Sequence, residues 1–315
     1  MTEIRDLGRR KFLETTVGAA AGMLSLGDVR PVNAASTGRV PRLGIVVGVG
    51  AKVAPDQALE KVRRLGFSTC QMSVGRAPIE LAGPIRDAAA KHEIEITALM
   101  TLGEGRMVWD LRDGPKTIGI IPPQLRSERI AALKRASDLA KACGVRAVHT
   151  HCGFIPENPN EPLYSDAVRA IKEVASYARN NGQTFLMETG QETPITLLRT
   201  IHDAGLDNLG VNLDMANLVL YGKGEPVGAL DVLGPYVRGT HAKDGLYPKD
   251  PYGLGEEVAI GKGRVRFAEV IEGLHRLQYA GPITIEREIS GPKQESDIAA
   301  SKQFLQQLLD KTWNQ

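Results

Sequence analysis

The sequence has 315 residues, enough for one domain of about 250 residues and an N-terminal extension. Hydrophobic residues make up 42% and charged residues 24%, as in ordinary globular domains. The formal net charge of +2 is too small to favour nucleic acid or an anionic membrane as the main partner, so no nucleic-acid binding is predicted. Cys70, Cys143 and Cys152 form no CxxC pair, and their odd number gives neither a disulfide framework nor a zinc-finger pattern.

A paired arginine near the N-terminus is followed by a weakly apolar stretch. Arg9-Arg10-Lys11-Phe12-Leu13 leads into alanine- and glycine-rich sequence from Thr15 to Leu26, and Val32-Asn33-Ala34 offers a small-residue cleavage site. The stretch is too short and too rich in glycine to span a bilayer. This segment resembles a twin-arginine (Tat) export signal. The resemblance implies a signal over residues 1–35, a mature domain over residues 36–315, the Tat export machinery as a partner, and a periplasmic or secreted location. The alternative is a disordered tail or a frayed helix.

From residue 42 the chain alternates short apolar runs with longer amphipathic ones. The runs that predict buried strands are Leu43–Val47, Thr69–Val74, Ile94–Leu99, Ala147–His151, Thr184–Glu188, Gly210–Asp214, Gly239–Ala242 and Ile283–Glu286. Several are continuously apolar, as in parallel strands that are buried on both faces. Helical spacing between them, with glycine just past some helix ends, favours an α/β fold of the closed (β/α)8 TIM barrel type over an open doubly wound sheet.

A long irregular segment follows the third predicted strand. It covers residues 104–124 and contains glycine, proline and few regularly spaced apolar residues. Loops at this end of a barrel build the active site, so the segment is a candidate lid over a substrate.

Four metal-ligand side chains close the last four predicted strands. Glu188, Asp214, His241 and Glu286 stand at the ends of strands five, six, seven and eight. Active sites of these barrels lie at the C-terminal ends of the strands, so the four side chains should share one rim. Any one of them could instead form a rim salt bridge or a helix cap. Together they predict a site for one divalent ion of the Mg²⁺, Mn²⁺, Co²⁺ or Zn²⁺ type, since three clustered carboxylates would otherwise repel one another.

Five segments carry a resemblance to a known family. They are LMETGQET at 186–193, VNLDMANLVLYGKGEP at 211–226, THAKDG at 240–245, GLGEEVAIGKGRVRF at 253–267 and GPITIERE at 281–288. With them the sequence resembles the xylose isomerase-like TIM barrel superfamily, in particular its sugar phosphate isomerase/epimerase branch. The resemblance implies that Glu188, Asp214, His241 and Glu286 bind one metal, that the substrate is a small carbohydrate, and that a homo-oligomer is possible.

The same resemblance implies roles for the two glutamates. In the ketose 3-epimerases of the family, the residues that match Glu188 and Glu286 also exchange a proton beside a carbonyl, one removing it and the other returning it from the opposite face. The metal polarises the carbonyl and a hydroxyl, which acidifies the C–H bond. Two departures put simple ketose epimerisation in doubt: Asn217 stands where those enzymes carry a histidine, and Tyr247 where they carry an arginine.

Further residues around these motifs are candidate site residues. His151, in the pattern His151-Cys152-Gly153, is a candidate base or substrate contact, and Lys243 could hold a substrate oxygen. Gln191, Glu192, Asn217 and Tyr247 are candidate substrate-binding residues. His149, one step deeper in its strand, is interpreted as core, and Asp244 as a residue that orients a neighbour. Gly261-Lys262-Gly263 favours a turn over a phosphate contact.

The predicted function is therefore a divalent-metal-dependent sugar isomerase or epimerase. A dehydratase or lyase of keto-sugars, such as 3-keto-glycosides or keto-inositols, remains an alternative because its reaction begins with the same proton removal. A non-catalytic sugar-binding subunit is a more remote alternative, since such a module has no need of a reactive metal. An apurinic endonuclease is disfavoured by the near-neutral charge, the missing histidine at Asn217 and the export signal.

Overall fold

A computed structural model of the chain describes residues 39–76 and 78–314. Its barrel strands are β1 (Leu43–Gly48), β2 (Thr69–Ser73), β3 (Glu95–Met100), β4 (Ala147–Thr150), β5 (Thr184–Glu188), β6 (Leu209–Asp214), β7 (Val237–Ala242) and β10 (Ile283–Ile285). They close in the order β1-β10-β7-β6-β5-β4-β3-β2, and every neighbouring pair is parallel. The short strands β8 (Asp244–Gly245) and β9 (Glu257–Val258) form a separate antiparallel pair. The predicted TIM barrel is confirmed.

Helices follow most of the strands and surround the barrel. They are α1 (Pro55–Arg64), α2 (Ala82–His92), α3 (Gly114–Thr117), α4 (Pro123–Cys143), α5 (Pro162–Asn180), α6 (Pro194–Ala204), α7 (Asn217–Leu220), α8 (Pro226–Leu233), α9 (Phe267–Arg276) and α10 (Pro292–Trp313). Six of them begin at a proline, which has no N–H to leave unpaired at the first helical position. Helix α4 ends at Gly144, whose φ of 75° is left-handed, as its glycine predicted.

The space inside the barrel is polar near the rim. Gln71 on β2 donates to Asn212 Oδ1 on β6 at 2.9 Å, so the two amides meet across the interior. A Cβ at Gly239 would lie 2.4 Å from Asn212 Oδ1, so β7 needs a glycine at this level. The apolar core lies mainly between the strands and the helices, where residues such as Leu59, Leu133 and Ile171 are fully buried. Polar side chains can therefore fill the barrel without weakening that core.

The segment after β3 is held by one buried guanidinium. Arg129 on α4 is 1% exposed and donates to the carbonyl oxygens of Gly119, Glu104 and Arg106 at 2.7, 3.1 and 3.4 Å. At Gly119 the segment runs so close to β4 that a Cβ there would meet the Cys152 carbonyl. The predicted irregular segment 104–124 is thus present, interrupted by α3, and it lies at the barrel mouth. Its role as a lid stays a prediction.

The predicted export signal and its boundary with the domain are not covered by the described residues. The export signal over residues 1–35 falls outside the described residues, so the signal and its boundary with the domain stay predictions. Among residues 39–76 and 78–314, no helix combines the length and the apolar character needed to cross a membrane.

Candidate metal centre

The four predicted ligands converge at one rim of the barrel. Ligand atoms of Glu188, Asp214, His241 and Glu286 all lie within 4.8 Å of one another. Strand pairing explains the convergence, because Asp214 is directly opposite His241 in the ladder between β6 and β7. Glu286 follows β10 immediately, and its amide donates to the Ala242 carbonyl at 3.0 Å. The C-terminal ends of neighbouring parallel strands thus deliver all four side chains to the same place.

The His241 imidazole presents one nitrogen to the three carboxylates. Its Nδ1 lies 3.0 Å from Glu188 Oε1, 3.4 Å from Glu286 Oε2 and 3.7 Å from Asp214 Oδ2. Its Nε2 lies 2.9 Å from Gln71 Oε1, which can only accept. Gln71 therefore favours the tautomer with the proton on Nε2. That leaves the Nδ1 lone pair free to bind a metal.

The two carboxylate oxygens of Asp214 have different surroundings. Oδ1 accepts from the amides of Ala216 and Asn217 at 2.8 and 2.7 Å, at the start of α7. Oδ2 is buried and has no hydrogen-bond partner in the described part of the chain. An unpartnered buried carboxylate oxygen that faces two glutamates and an imidazole fits a cation. Three carboxylates and one imidazole are also a donor set suited to a hard or borderline divalent metal.

The pKa values of Asp214 and His241 show that the clustered carboxylates favour a positive charge at this place. Burial raises the pKa of Asp214 to about 6, against the lowering effect of Lys243. Burial would lower the pKa of His241, but the charges of Glu286 and Glu188 outweigh it and hold that pKa well above its usual value. In this protein-only arrangement the imidazole is thus drawn towards the cationic form. A bound divalent ion would supply the same charge and would leave the imidazole neutral as a ligand.

The second oxygen of Glu188 faces two histidines. Oε2 lies 2.8 Å from His149 Nε2 and 3.4 Å from His151 Nε2. Burial alone would raise the pKa of Glu188, but His151, His241 and the hydrogen bond from His149 hold it well below the usual range. His149 is fully buried, as its interpretation as a core residue required, yet it also contacts the metal-site glutamate. His151 is 9% exposed at the rim, where Trp109 of the segment after β3 packs against its ring at 5.3 Å.

Lys243 is a buried cation beside the same cluster. Its Nζ lies 3.1 Å from Glu286 Oε2 and 2.9 Å from Glu288 Oε1. Burial would lower its pKa, but Glu286, Asp214 and Glu288 hold it well above the usual value, so Lys243 is charged. Asn217 connects the two sides of the site: its Nδ2 lies 3.5 Å from Glu188 Oε1, and its Oδ1 lies 3.4 Å from Lys243 Nζ.

The other predicted substrate-binding residues differ in how they are placed relative to the cluster. Gln191 Nε2 lies 3.1 Å from His151 Nδ1, which puts its amide at the site. Glu192 is 2% exposed, and the charged groups that act on it are Glu157, Lys223 and Glu188. Tyr247 is 46% exposed, and the hydrogen bonds and ion pairs of the described residues do not link it to the cluster. Substrate binding by these residues stays a prediction.

Asp244 fixes the glycine-rich loop instead of acting at the cluster. Its carboxylate accepts from the amides of Gly245, Gly261, Gly263 and Val265 at 2.8–3.0 Å. The interpretation of Asp244 as an orienting residue agrees with this geometry. The amides of Gly261 and Gly263 are already engaged, so the favoured interpretation of Gly261-Lys262-Gly263 as a turn fits better than a phosphate contact.

Sequence reasoning did not identify Gln71 and Glu288 as residues of the centre. Gln71 was missed, although a polar side chain inside a strand that is otherwise buried was a visible signal. Glu288 was missed because it follows Glu286 by two positions and reads as surface charge. Its pairing with Lys243 depends on how β7 and β10 lie side by side.

Comparison with known proteins agrees with this architecture. The sequence profile of the xylose isomerase-like TIM barrel family matches residues 59–308. A xylose isomerase domain protein from Planctomyces limnophilus is 33% identical in sequence. Its structure matches with a TM-score of 0.80 and covers 87% of this chain and 100% of that chain. A xylose isomerase-like TIM barrel protein from Mycobacterium smegmatis, solved in complex with magnesium, is 21% identical, with a TM-score of 0.63 over 86% of this chain and 97% of that one.

More distant similarity extends to a sugar epimerase and to curated proteins. The 3-keto-D-glucoside 4-epimerase of E. coli is 14% identical, with a TM-score of 0.61 over 85% of this chain and 99% of that one. An uncharacterized protein of Methanocaldococcus jannaschii is 26% identical over 198 residues, which is 59% of this chain. The chain spans 64% and 46% of the length of the two curated relatives that it matches. The profile match, together with the Planctomyces structure, shows that the chain belongs to the xylose isomerase-like TIM barrel family.

Proposed function

We propose that this protein is a divalent-metal-dependent sugar epimerase or isomerase, with Glu188 and Glu286 as its acid/base pair. The observation that carries the proposal is the convergence of Glu188, Asp214, His241 and Glu286 within 4.8 Å at the barrel rim. The fold is shared with a 3-keto-D-glucoside epimerase and with a magnesium-bound relative, which supports a sugar substrate and a hard metal.

The two glutamates have different surroundings that suit opposite proton transfers. A divalent ion held by the four residues would act as a Lewis acid on a sugar carbonyl and its neighbouring hydroxyl. Glu188 would remove the proton beside that carbonyl, while His149 and His151 hold its Oε2. Glu286 would return a proton from the other face, next to the ammonium of Lys243.

The experiment that tests this proposal follows deuterium. Protein loaded with Mg²⁺ or Mn²⁺ is incubated in D₂O with ketoses, keto-inositols and 3-keto-glycosides, and the sugars are examined by NMR. An epimerase or isomerase introduces deuterium into a retained C–H bond. Glu188→Gln and Glu286→Gln should abolish this exchange, and the exposed Glu60→Gln on α1 should leave it unchanged. Absence of exchange on every sugar, together with absence of bound or activating metal, would overturn the proposal.

A second candidate is elimination from a keto-sugar. The charged Lys243 beside Glu286 favours it, because an ammonium next to the returning acid can stabilise an oxygen that departs from the β-carbon. Asn217 also occupies the position at which ketose epimerases carry a histidine. Release of water or an aglycone in the same D₂O experiment distinguishes elimination from epimerisation.

Export through the Tat route is a separate proposal. Residues 1–35 would direct the folded protein to the periplasm or outside the cell, and a metal bound beforehand would travel with it. A fusion of this segment to a reporter, compared with Arg9→Lys/Arg10→Lys, tests it: export that is unaffected by the double substitution would contradict the proposal. Homo-oligomer formation is likewise a proposal, which analytical ultracentrifugation tests.

A further inference from the structure

Tyr221 is a buried phenol beside the metal centre. It follows α7 directly and is 4% exposed. Its amide donates to the Asn217 carbonyl at 2.9 Å, so it lies one helical turn beyond Asn217 on the same side of the chain. Asn217 contacts both Glu188 and Lys243. Tyr221 therefore belongs to the wall of the site; it lies within the motif at 211–226, but the sequence analysis gave it no role.

The ring of Tyr221 is held in one position. A Cβ at Gly190 would lie 3.0 Å from Asn217 Cβ and 3.4 Å from the Tyr221 ring, so the glycine after β5 makes room for both side chains. Gly190 also has a φ of 156°, which glycine tolerates well. On another side, Phe154 packs edge-on against the ring with centroids 5.8 Å apart. A hydroxyl that is held this rigidly is preorganised for a ligand.

The Tyr221 hydroxyl lacks a partner, and so does a neighbouring oxygen. Within the described residues, neither Tyr221 OH nor Gln191 Oε1 makes a hydrogen bond, although both are buried. Burial raises the pKa of Tyr221, opposed by the Gln191 side-chain amide and by the charge of Lys243, so the phenol is neutral and both groups are its neighbours. The Gln191 amide is near enough to act on the phenol but does not meet the geometry of a hydrogen bond with it, and its Nε2 faces His151 Nδ1 at 3.1 Å. Buried polar atoms without partners are uncommon and costly in folded proteins. Two of them on neighbouring side chains, beside the candidate metal centre, indicate the place of a ligand.

The Tyr221 phenol and the Gln191 carbonyl oxygen together suit a neutral hydroxyl group of a ligand. The phenol can donate and the Gln191 carbonyl oxygen can accept, which matches a group that both accepts and donates. A phosphate would only accept, and it would place negative charge beside Glu188 and Glu288. The ammonium of Lys243 does not compensate for this, because it is already paired with Glu286 and Glu288. The amides of Gly261 and Gly263 cannot help either, since they are bound to Asp244.

We propose that Tyr221 and Gln191 form a subsite for one uncharged hydroxyl group of the substrate, a position at which a phosphate group is disfavoured. This inference rests on the proposed function in taking a sugar as the substrate. It specifies one contact that the substrate makes in the site, and it gives Tyr221 a binding role.

The test compares Tyr221→Phe with wild type and with a matched control. Tyr164→Phe removes another buried phenol, one whose hydroxyl is bonded to Asp203 at 2.5 Å. We expect Tyr221→Phe to keep the wild-type Tm, because it removes a hydroxyl without a protein partner, and Tyr164→Phe to lower it. A Tm loss in Tyr221→Phe as large as that in Tyr164→Phe would mean that the phenol serves the fold, and would overturn the subsite.

Binding and turnover are then measured on the Mn²⁺-loaded protein. The probes are D-fructose, D-tagatose and a 3-keto-D-glucoside, with D-fructose 6-phosphate as the charged counterpart; Kd is obtained by NMR titration and KM from deuterium exchange. Wild type should bind at least one of these sugars. Tyr221→Phe should raise Kd and KM for that sugar about tenfold, as expected for one lost hydrogen bond, while kcat and the metal Kd stay unchanged.

The outcomes separate this inference from the proposed function. Exchange whose KM and Kd are unaffected by Tyr221→Phe overturns the subsite and leaves the proton-transfer chemistry intact. Sugar binding that depends on Tyr221 without any exchange supports the subsite and contradicts the proposed reaction. Absence of sugar binding by wild type overturns the subsite as well.

Discussion

Replacing Glu192 with glutamine would test the charge state of a carboxyl group that is buried beside the metal centre. The side chain is 2% exposed, and its Oε2 has no hydrogen-bond partner among the described residues. Burial raises its pKa from 4.5 to about 8; a hydrogen bond from its own backbone amide opposes this, and Glu157 adds to it. At neutral pH the folded protein therefore holds a protonated carboxyl at this position.

The sign of the effect on stability follows from proton linkage. The unfolded chain loses this proton near pH 4.5, whereas the folded chain keeps it to about pH 8. Glu192 thus makes the free energy of unfolding fall as pH rises between these values, by up to about 1.4 kcal/mol per pH unit. Across the whole interval the difference reaches about 5 kcal/mol. Glu192→Gln keeps the shape of the side chain and removes the titration, so its advantage over wild type should grow with pH.

Urea unfolding from about pH 5 to about pH 8 measures this directly. The titrations are run in excess EDTA, so that pH-dependent metal binding does not contribute to either protein. Glu60→Gln, an exposed substitution on α1, serves as the control and should run parallel to wild type. If the wild-type and Glu192→Gln stabilities also stay parallel over this range, the carboxyl is ionised in the folded protein and the reasoning is refuted.

Three further predictions concern the metal and its supports. EDTA should lower the Tm, and added Mg²⁺ or Mn²⁺ should raise it again with increasing concentration; an unchanged Tm would count against a resident metal. Gln71→Leu removes the acceptor that orients His241 and should weaken metal binding about 10- to 100-fold in calorimetric titration, whereas unchanged affinity would show that the tautomer does not depend on Gln71. Arg129→Met leaves three carbonyl groups of residues 104–119 without their donor, so it should destabilise the fold by about 2–4 kcal/mol and expose this segment to proteolysis; resistance equal to wild type would contradict the anchoring role.

The convergence of the four candidate metal ligands was predictable because it follows from strand order. Each ligand closes its own parallel strand, and the closed barrel brings the ends of neighbouring strands together without further information. The strand runs themselves were readable because their side chains are apolar over several consecutive positions. Observed ends of the strands differ from the predicted ends by at most two residues, as for β7, which begins at Val237 and not at Gly239.

The surroundings of the ligands were not predictable in the same way. Gln71 reaches His241 from β2, a strand on the other side of the barrel, and periodicity along one strand carries no information about such a contact. Tyr221 lies beyond a helix of only one turn, where the backbone path depends on the Asp214 carboxylate capping the chain. These contacts depend on tertiary placement, which sequence periodicity leaves open.

The surroundings of Glu188 are compatible with its proposed double role as a metal ligand and a base. Glu188 turns Oε1 towards His241 and the ion site, and Oε2 towards His149 and His151. His149 Nδ1 has no partner among the described residues, as expected if the proton is on Nε2 and is donated to Glu188. One carboxylate oxygen can then remain with the metal while the other exchanges a proton. Glu286 has no such pair of imidazoles and relies on Lys243 instead. If the two glutamates form the acid/base pair, this difference makes their surroundings unequal, although each glutamate is needed for exchange.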